Sequence, residues 1–420
     1  MKKKILQVLT SLRFAIFLLL VIAFISGLGS VIEQDQSLDY YQQYYSLQQP
    51  IFGFLSYPWI FALELHHVYK SWVFLLLICC LGVSLMCCTF TQQLPMVKVA
   101  RQCSFLRNLS LLDVQASLPK KKGLSEKSLL FLKSRQFYTH QQKSLLYASK
   151  GLFGKIGPIL VHFSLVCILL GAISGAFGRF NAQEFVPKGE ILHMQNILGT
   201  GWLSHFPSYS FRLNDFWIEY QNQKIGQFYS DLSILNNVGK EVFQQTISVN
   251  KPLIYQRIYF YQIDWNFLGI KIQQQNDATY QYPLTLLSES PKIWASWLFN
   301  ERGSQGRILV LDEIKQVIKL YDNLGNFLTL VNFNETFVMD NQVYRLMDLI
   351  PETGLQVKYD PSIFLTYTGF AALMFSTLLS YLTYSQIWMA LRGQRIFLGG
   401  KTTRSKSSFE VEFQTFFHGL

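Results

Sequence analysis

The stretch IGPILVHFSLVCILLGAISGAFG, residues 156–178, decides how the rest of the chain is read. As a helix it is long enough to cross the hydrocarbon of a bilayer, and it holds no Asp, Glu, Lys or Arg. Three further stretches share those properties: 14–32, 72–90 and 361–391. The last exceeds what a span needs and is expected to tilt or to project from the bilayer. The first reads as a retained anchor, because its apolar run is too long for a leader and no small-residue cleavage site stands apart from it.

Composition agrees with a mixed protein. Of 420 residues, 50% are hydrophobic and only 15% charged, well below the charge density of ordinary globular domains. Mean hydropathy is nevertheless only +0.19, too low for a chain that lies mostly in lipid. The 35 Phe and 22 Tyr exclude a disordered chain.

The net charge of +11 is sorted along the sequence. The first 13 residues hold Lys2, Lys3, Lys4 and Arg13 and no acid. Segment 93–155 holds twelve basic residues against Asp113 and Glu126, and the tail after residue 391 holds five against Glu410 and Glu412. By contrast, 33–71 has four acids and only Lys70, and 179–360 has eighteen acids to fifteen basic residues. Basic loops stay on the negative side of a membrane. Both termini and 93–155 are therefore placed there, and 179–360 on the positive side. The basic excess is topological and suits anionic headgroups; no nucleic-acid partner is expected.

The expected architecture is an integral membrane protein, with four transmembrane α-helices plus one large β-rich soluble domain on the positive side. Its divisions are 1–92 (two spans and a short loop), 93–155, 156–178, 179–360, 361–391 and a tail, 392–420. Within 179–360, the runs 210–220, 247–264, 307–321, 327–331 and 342–349 are rich in β-branched and aromatic residues, and turn signals at 236–239, 322–326 and 340–341 separate them. A short helical patch is expected over 292–299. Segment 93–155 carries Leu124, Leu129, Leu130, Phe131 and Leu132 among Lys127, Lys133 and Arg135. That pattern fits either an amphipathic helix on the membrane surface or a solvated basic loop with one helix. Segment 51–63, apolar but too short to span, reads as an interfacial helix.

Six cysteines form no CxxC motif, and none lies in 179–360, so a thiol carrier and a disulfide-stapled domain are excluded. Cys79, Cys80, Cys87, Cys88 and Cys167 sit in hydrocarbon, where thiols are unreactive filler. Among seven histidines, His140, His193, His205 and His418 read as surface residues, and His66 and His67 as an interfacial pair at the start of the second span. His162 differs. Thiols and phenols aside, it is the only ionisable side chain inside a span, a costly placement that points to function by default. A neutral imidazole is a usual axial ligand of haem iron, whereas a histidine bonded to a neighbouring helix is the plain alternative; the residue alone leaves both open. Gly171 and Gly175 form a small-residue seam on the same helix. Nine residues at about 100° each put Gly171 half a turn away from His162.

With those residues in hand, the chain resembles the ResB/CcsB family of cytochrome c biogenesis proteins, in an algal plastid-encoded form. The resemblance is carried by LRFAIFLLL (12–20), GSVIEQ (29–34), HVYKSWVF (67–74), CTFTQQLP (88–95) and GPILVHFSL (157–165). It continues through FNAQEFVPKGE (180–190), DFWIEY (215–220), QFYSDLSIL (227–235) and VNKPLIYQRIYFYQIDW (249–265). It implies a thylakoid location with the large domain in the lumen, or otherwise a cyanobacterial membrane. It also implies a CcsA/ResC-type membrane partner, with which haem is moved across the bilayer and attached to CxxCH of apocytochrome c, such as cytochrome f or a soluble lumenal cytochrome c. Haem b would be held transiently, with His162 as an axial ligand and His67 as a lesser candidate. The Trp-rich haem-handling motif of the partner is absent here, so this chain alone is not expected to complete a haem lyase reaction. The competing expectation is a haem-free scaffold for apocytochrome c or for the partner. A solute transporter is disfavoured by four spans with one ionisable residue and no inverted repeat.

Overall fold

The computed structural model describes the chain except residues 1, 37, 49, 51–52, 54, 104, 106–113, 120–123, 222–223, 275–277, 290–291, 299–305, 313–317, 340–341, 393 and 419–420. Among the described residues, four helices are long and apolar enough to cross a membrane: Leu12–Val31, Trp72–Arg101, Phe153–Gly178 and Ser362–Ser380. They expose Phe17, Leu20, Phe24, Val73, Leu76, Phe163, Phe364 and Met374, which is the surface of helices solvated by lipid. The chain divides into two compact units, one holding the spans and the other formed by residues 35–43 and 177–360.

The fourth helix ends at Ser380, eleven residues short of the expected limit. Residues Ser385–Arg392 are instead a β-strand, whose apolar side chains Ile387, Met389 and Ala390 are buried in a protein core. That strand is central in a five-stranded antiparallel sheet, ordered Val114–Pro119, Arg395–Thr402, Ser385–Arg392, Leu145–Lys150, Tyr138–Gln142. Segment 93–155 and the tail thus fold together, and a shared sheet needs both on one side of the membrane.

The helix expected around Leu124–Leu132 is present as Leu124–Ser134 and packs on a protein core. Leu132 is fully buried, in a core with Phe137, Leu146, Leu398 and the Phe409, Phe413 and Phe416 stripe of helix Lys406–His418. Leu129 and Phe131 pack against the same core, whereas Leu130 is exposed. Gly400 is required there: a Cβ at that position would stand 2.6 Å from the Phe409 ring.

At the other end of the first two spans the chain is pinned by side-chain hydrogen bonds. Gln34 donates to the carbonyls of Ile32 (2.7 Å) and Leu65 (3.0 Å) and accepts from the Val68 amide (2.9 Å). Tyr69 donates to the Ser26 carbonyl at 3.1 Å, and Gly29 lets Val68 and Tyr69 approach the first span. The quoted segments GSVIEQ and HVYKSWVF are the two halves of this clamp. A helix is present at Tyr57–Ala62; the start of the expected interfacial segment lies outside the described residues.

The β-rich unit is built from three antiparallel sheets around one core. Strands Ile258–Gln274 and Gln342–Tyr359 form its spine, pairing over nearly their whole length with bulges near Asp264 and Gly269. Along 258–262 alternate residues are buried, the period of a strand with one face inward. A four-stranded sheet (191–192, 210–221, 224–235, 241–248) and a five-stranded meander (285–289, 292–298, 307–312, 318–321, 327–331) complete it. The expected helical patch is the strand Lys292–Leu298, in which Trp294, Ser296 and Leu298 point inward in strict alternation. The 340–341 turn lies outside the described residues.

Several polar groups inside this unit are paired, while Asn181 Oδ1, Tyr209 OH and Ser296 Oγ are buried without a hydrogen-bond partner. Glu184, 4% exposed, accepts from the backbone amides of Gln195 and Asn196. Lys292 bonds Asp264 at 2.7 Å and lies 4.6 Å above the Trp265 ring. Trp294 donates to Asn266 (2.6 Å), which donates to Glu352 (2.7 Å). Burial pushes the Glu352 carboxyl above its ordinary range, with Glu190 adding to the rise and the Asn266 bond opposing it.

Candidate functional site

His162 lies on the third span, half-buried, and faces the second span. The second span is not a uniform helix at that level. Trp72–Cys88 is α-helical, Thr89–Gln93 forms a π-helical turn, and α-helix resumes over Leu94–Arg101 with Pro95 in its first turn. Single π turns inside α-helices widen the backbone locally and recur at functional positions. This one delivers two polar side chains to the imidazole. Thr89 Oγ1 is 3.0 Å from His162 Nδ1, and Gln93 Nε2 is 3.1 Å from His162 Nε2.

The surrounding hydrogen bonds accommodate one neutral tautomer. With the Thr89 hydroxyl donating to the Leu85 carbonyl, 2.8 Å away, its oxygen accepts from the ring. In that arrangement Nδ1 carries the hydrogen, and the Nε2 lone pair faces the Gln93 amide. Gln93 is itself only half-satisfied: its Oε1 is buried without a hydrogen-bond partner. A neutral imidazole whose Nδ1–H is anchored and whose Nε2 carries the lone pair is the protonation state that a metal ion requires. The group capping Nε2 is a flexible side chain held by one bond. These residues fit an axial haem ligand.

The opposite face of the third span meets the fourth. A side chain on Gly171 would collide with Thr366, and one on Gly369 would stand 2.8 Å from Ile168 and 3.3 Å from the Ser164 carbonyl. At the lower end, a Cβ on Gly157 would lie 2.6 Å from the Ser380 backbone. Gly157, Ser164 and Gly171 recur every seven residues, so they form one close-packed stripe. Gly175 is also buried. The structure brings Gly171 against a neighbour within the same chain, and His162 against another. No signal of periodicity identified Thr89 and Gln93; the polar run Thr89, Thr91, Gln92 and Gln93 closing an apolar span was the available clue.

His67 is not near this site. It lies in the short helical segment Leu65–Lys70 before the second span, and about 26 Å of helix separates Trp72 from Thr89. Its ring meets His66 edge-on at 3.9 Å, His66 stacks on Phe61 at 4.3 Å, and its Nε2 is 3.8 Å from Glu64. His140, His193, His205 and His418 are exposed. All six cysteines are free, and no group of three metal-binding side chains occurs among the described residues.

Four spans, a β-rich unit and a half-buried histidine on the third span, bonded to the second, define a membrane protein with an imidazole at bilayer depth. Comparison with known sequences makes this more specific. The model of the ResB-like family matches residues 12–295 and 304–414, and the chain belongs to that family. It is 46% identical over 420 residues to the cytochrome c biogenesis protein Ccs1 of Trieres chinensis, covering 98% of this chain and 99% of that one. It is 44% identical to the protein of the same name from Phaeodactylum tricornutum, covering 98% and 99%. With the cytochrome c biogenesis protein CcsB of Trichormus variabilis the identity is 40%, covering 98% and 91%.

Proposed function

We propose that this protein acts in cytochrome c biogenesis as the haem-liganding subunit of a membrane assembly, with His162 Nε2 as one axial ligand to haem b at bilayer depth. The observation that carries the reading is the geometry of that imidazole: Nδ1–H is fixed by Thr89, and Nε2 is covered only by the half-satisfied Gln93 amide. When bound, the haem supplies the vinyl groups that become thioethers with CxxCH of the apocytochrome. This chain's part is to hold, orient and shield. Thr89 holds the ring and its tautomer, Gln93 yields the lone pair, and the small-residue seam with the fourth span keeps the third span in place. The names of the relatives support the process, and the charge sorting supports a β-rich domain on the positive side, the lumen of a thylakoid. There it would present an apocytochrome c, cytochrome f or a soluble lumenal one, to a CcsA/ResC-type partner that contributes the second ligand. His67, at the positive-side end of the second span, is the lesser ligand candidate.

One observation favours a second reading. Both ring nitrogens of His162 already have partners within the chain, as a structural histidine would, and a haem-free scaffold needs nothing more. Purifying the His162→Ala protein with its partner separates the two. Loss of haem and of the haem spectrum, with partial return on adding imidazole, is expected; wild-type haem content and spectrum would establish the scaffold.

A further inference from the structure

Below His162, at the end of the third span nearest the basic segments, lies a cavity of about 140 Å³. Gln93, the residue that caps His162 Nε2, forms part of its wall, so the cavity and the imidazole adjoin one another. Met96, Pro158 and Leu382 supply apolar lining, and Lys155 and Arg404 supply two positive charges. These cations come from segments far apart in sequence, one entering the third span and one following strand Arg395–Thr402. Neither has an ion-pair partner among the described residues; the pair formed nearby joins Lys150 to Glu412. Both are held over aromatic rings, Lys155 at 5.5 Å from Tyr384 and Arg404 at 5.1 Å from Tyr381. Tyr384 is in turn fixed by donating to the Ala100 carbonyl at 2.9 Å.

Placement on the helix is the second half of the argument. Lys155 precedes His162 by seven residues, nearly two whole turns, so both lie on one face about 10 Å apart along the axis. An imidazole above, an apolar wall between and two cations below match an amphiphile with a metal centre at one end and carboxylates at the other. A haem has that shape, its propionates lying a porphyrin radius and two methylenes from the iron. The cavity is too small for the macrocycle and suited to its carboxylate edge.

We propose that this cavity is a carboxylate-binding subsite, in which Lys155 and Arg404 seat the propionates of the haem whose iron His162 ligates. The proposal rests on the His162 reading for the identity of its ligand. Its consequence is directional: the carboxylates stay at the aqueous boundary on the basic side while the iron sits in the bilayer, so the direction of the propionate edge is selected before transfer. An anionic lipid headgroup offers the same chemistry and is distinguished by the test.

The test uses the full chain in nanodiscs of zwitterionic lipid, titrated with ferric haem and with haem dimethyl ester while the Soret band is followed. The wild-type protein should bind haem at least about tenfold more tightly than the ester, the worth of one well-made charge-assisted contact. Lys155→Gln with Arg404→Gln should abolish that preference and leave the Soret position unchanged, and Lys155→Arg should retain it. Equal binding of haem and ester by the wild type, or an undiminished preference in the double variant, overturns the subsite while a His162-dependent spectrum leaves the ligand assignment standing. Conversely, an unaltered spectrum in His162→Ala together with a preference that still depends on Lys155 and Arg404 keeps the carboxylate site and removes the axial ligand. If the double variant keeps its preference for haem but loses a dependence on added anionic lipid, the cavity is a headgroup site and the propionate assignment falls.

Discussion

The hydroxyl oxygen of Thr89 lies 3.0 Å from Nδ1 of His162, and its own proton is committed to the Leu85 carbonyl. A threonine opening the π turn thereby holds the ring of a histidine on another helix. Removing a group that bonds the far nitrogen of a ligating histidine typically changes metal affinity by about 10–100-fold.

Two substitutions on the π turn should accordingly act in opposite directions. Thr89→Val keeps the shape but removes the acceptor, and haem affinity should fall by about tenfold or more. Gln93→Ala uncovers Nε2 without disturbing Nδ1, and affinity should rise. Titration of both variants with ferric haem measures this. Equal losses in the two would mean that the pair serves helix packing rather than ligand control.

The seam between the third and fourth spans should be intolerant of size. Gly171→Leu drives a side chain into Thr366, and Gly157→Leu drives one into the Ser380 backbone. Both should lower accumulation of the protein in the membrane, by overpacking costs of about 1–3 kcal/mol. Thr366→Ala should restore part of the Gly171→Ala defect and none of the Gly157→Ala defect. Accumulation measured by immunoblot in each single and combined variant decides it; wild-type levels in both leucine variants would put the stripe in loose contact.

The spans were legible because length, apolarity and charge are summed over some twenty residues, and His162 was legible because it stands alone among them. The domain on the basic side was not. Its central strand Ser385–Arg392 follows the fourth helix with no charge, Gly or Pro between Ser380 and Ser385, so the apolar count runs on across the boundary. Three of its other four strands lie more than two hundred residues earlier, and no local pattern reveals a pairing of Gln386 with Ser149. The strand over 292–298 was missed for a related reason: Ile293, Trp294, Trp297 and Leu298 also fit a helical spacing, and only packing against Leu309 and Leu311 settles the period at two.

Topology is open to direct measurement. Reporters fused after Lys2 or after Gly419 should read out on the negative side, and one inserted beside Asn323 on the positive side. Lysines and arginines near the spans set orientation. The shared sheet of 114–150 and 385–402 adds that a reporter near Lys143 must agree with the C-terminal one. Opposite readouts at those two positions are incompatible with the sheet.

Glu352 gives the last expectation, a pH dependence of stability. Its carboxyl is 7% exposed and accepts from Asn266 Nδ2 at 2.7 Å. Burial raises its pKa, the charge of Glu190 raises it further, and the Asn266 bond only partly offsets them. The folded protein thus holds the proton more tightly than the unfolded chain. The stabilisation this gives is fully present below the unfolded glutamate pKa and is lost as pH rises through the folded value. At neutral and alkaline pH the ionised group is a cost. Glu352→Gln keeps an oxygen to accept from Asn266 and removes the charge, so it should raise the melting temperature of the purified chain at pH 8, by about 2 °C or more. At pH 4 the two proteins should melt alike. Melting curves at both pH values supply the comparison. A variant destabilised equally at both would show that the ionised carboxylate is needed in the fold, and that the Asn266 bond outweighs burial.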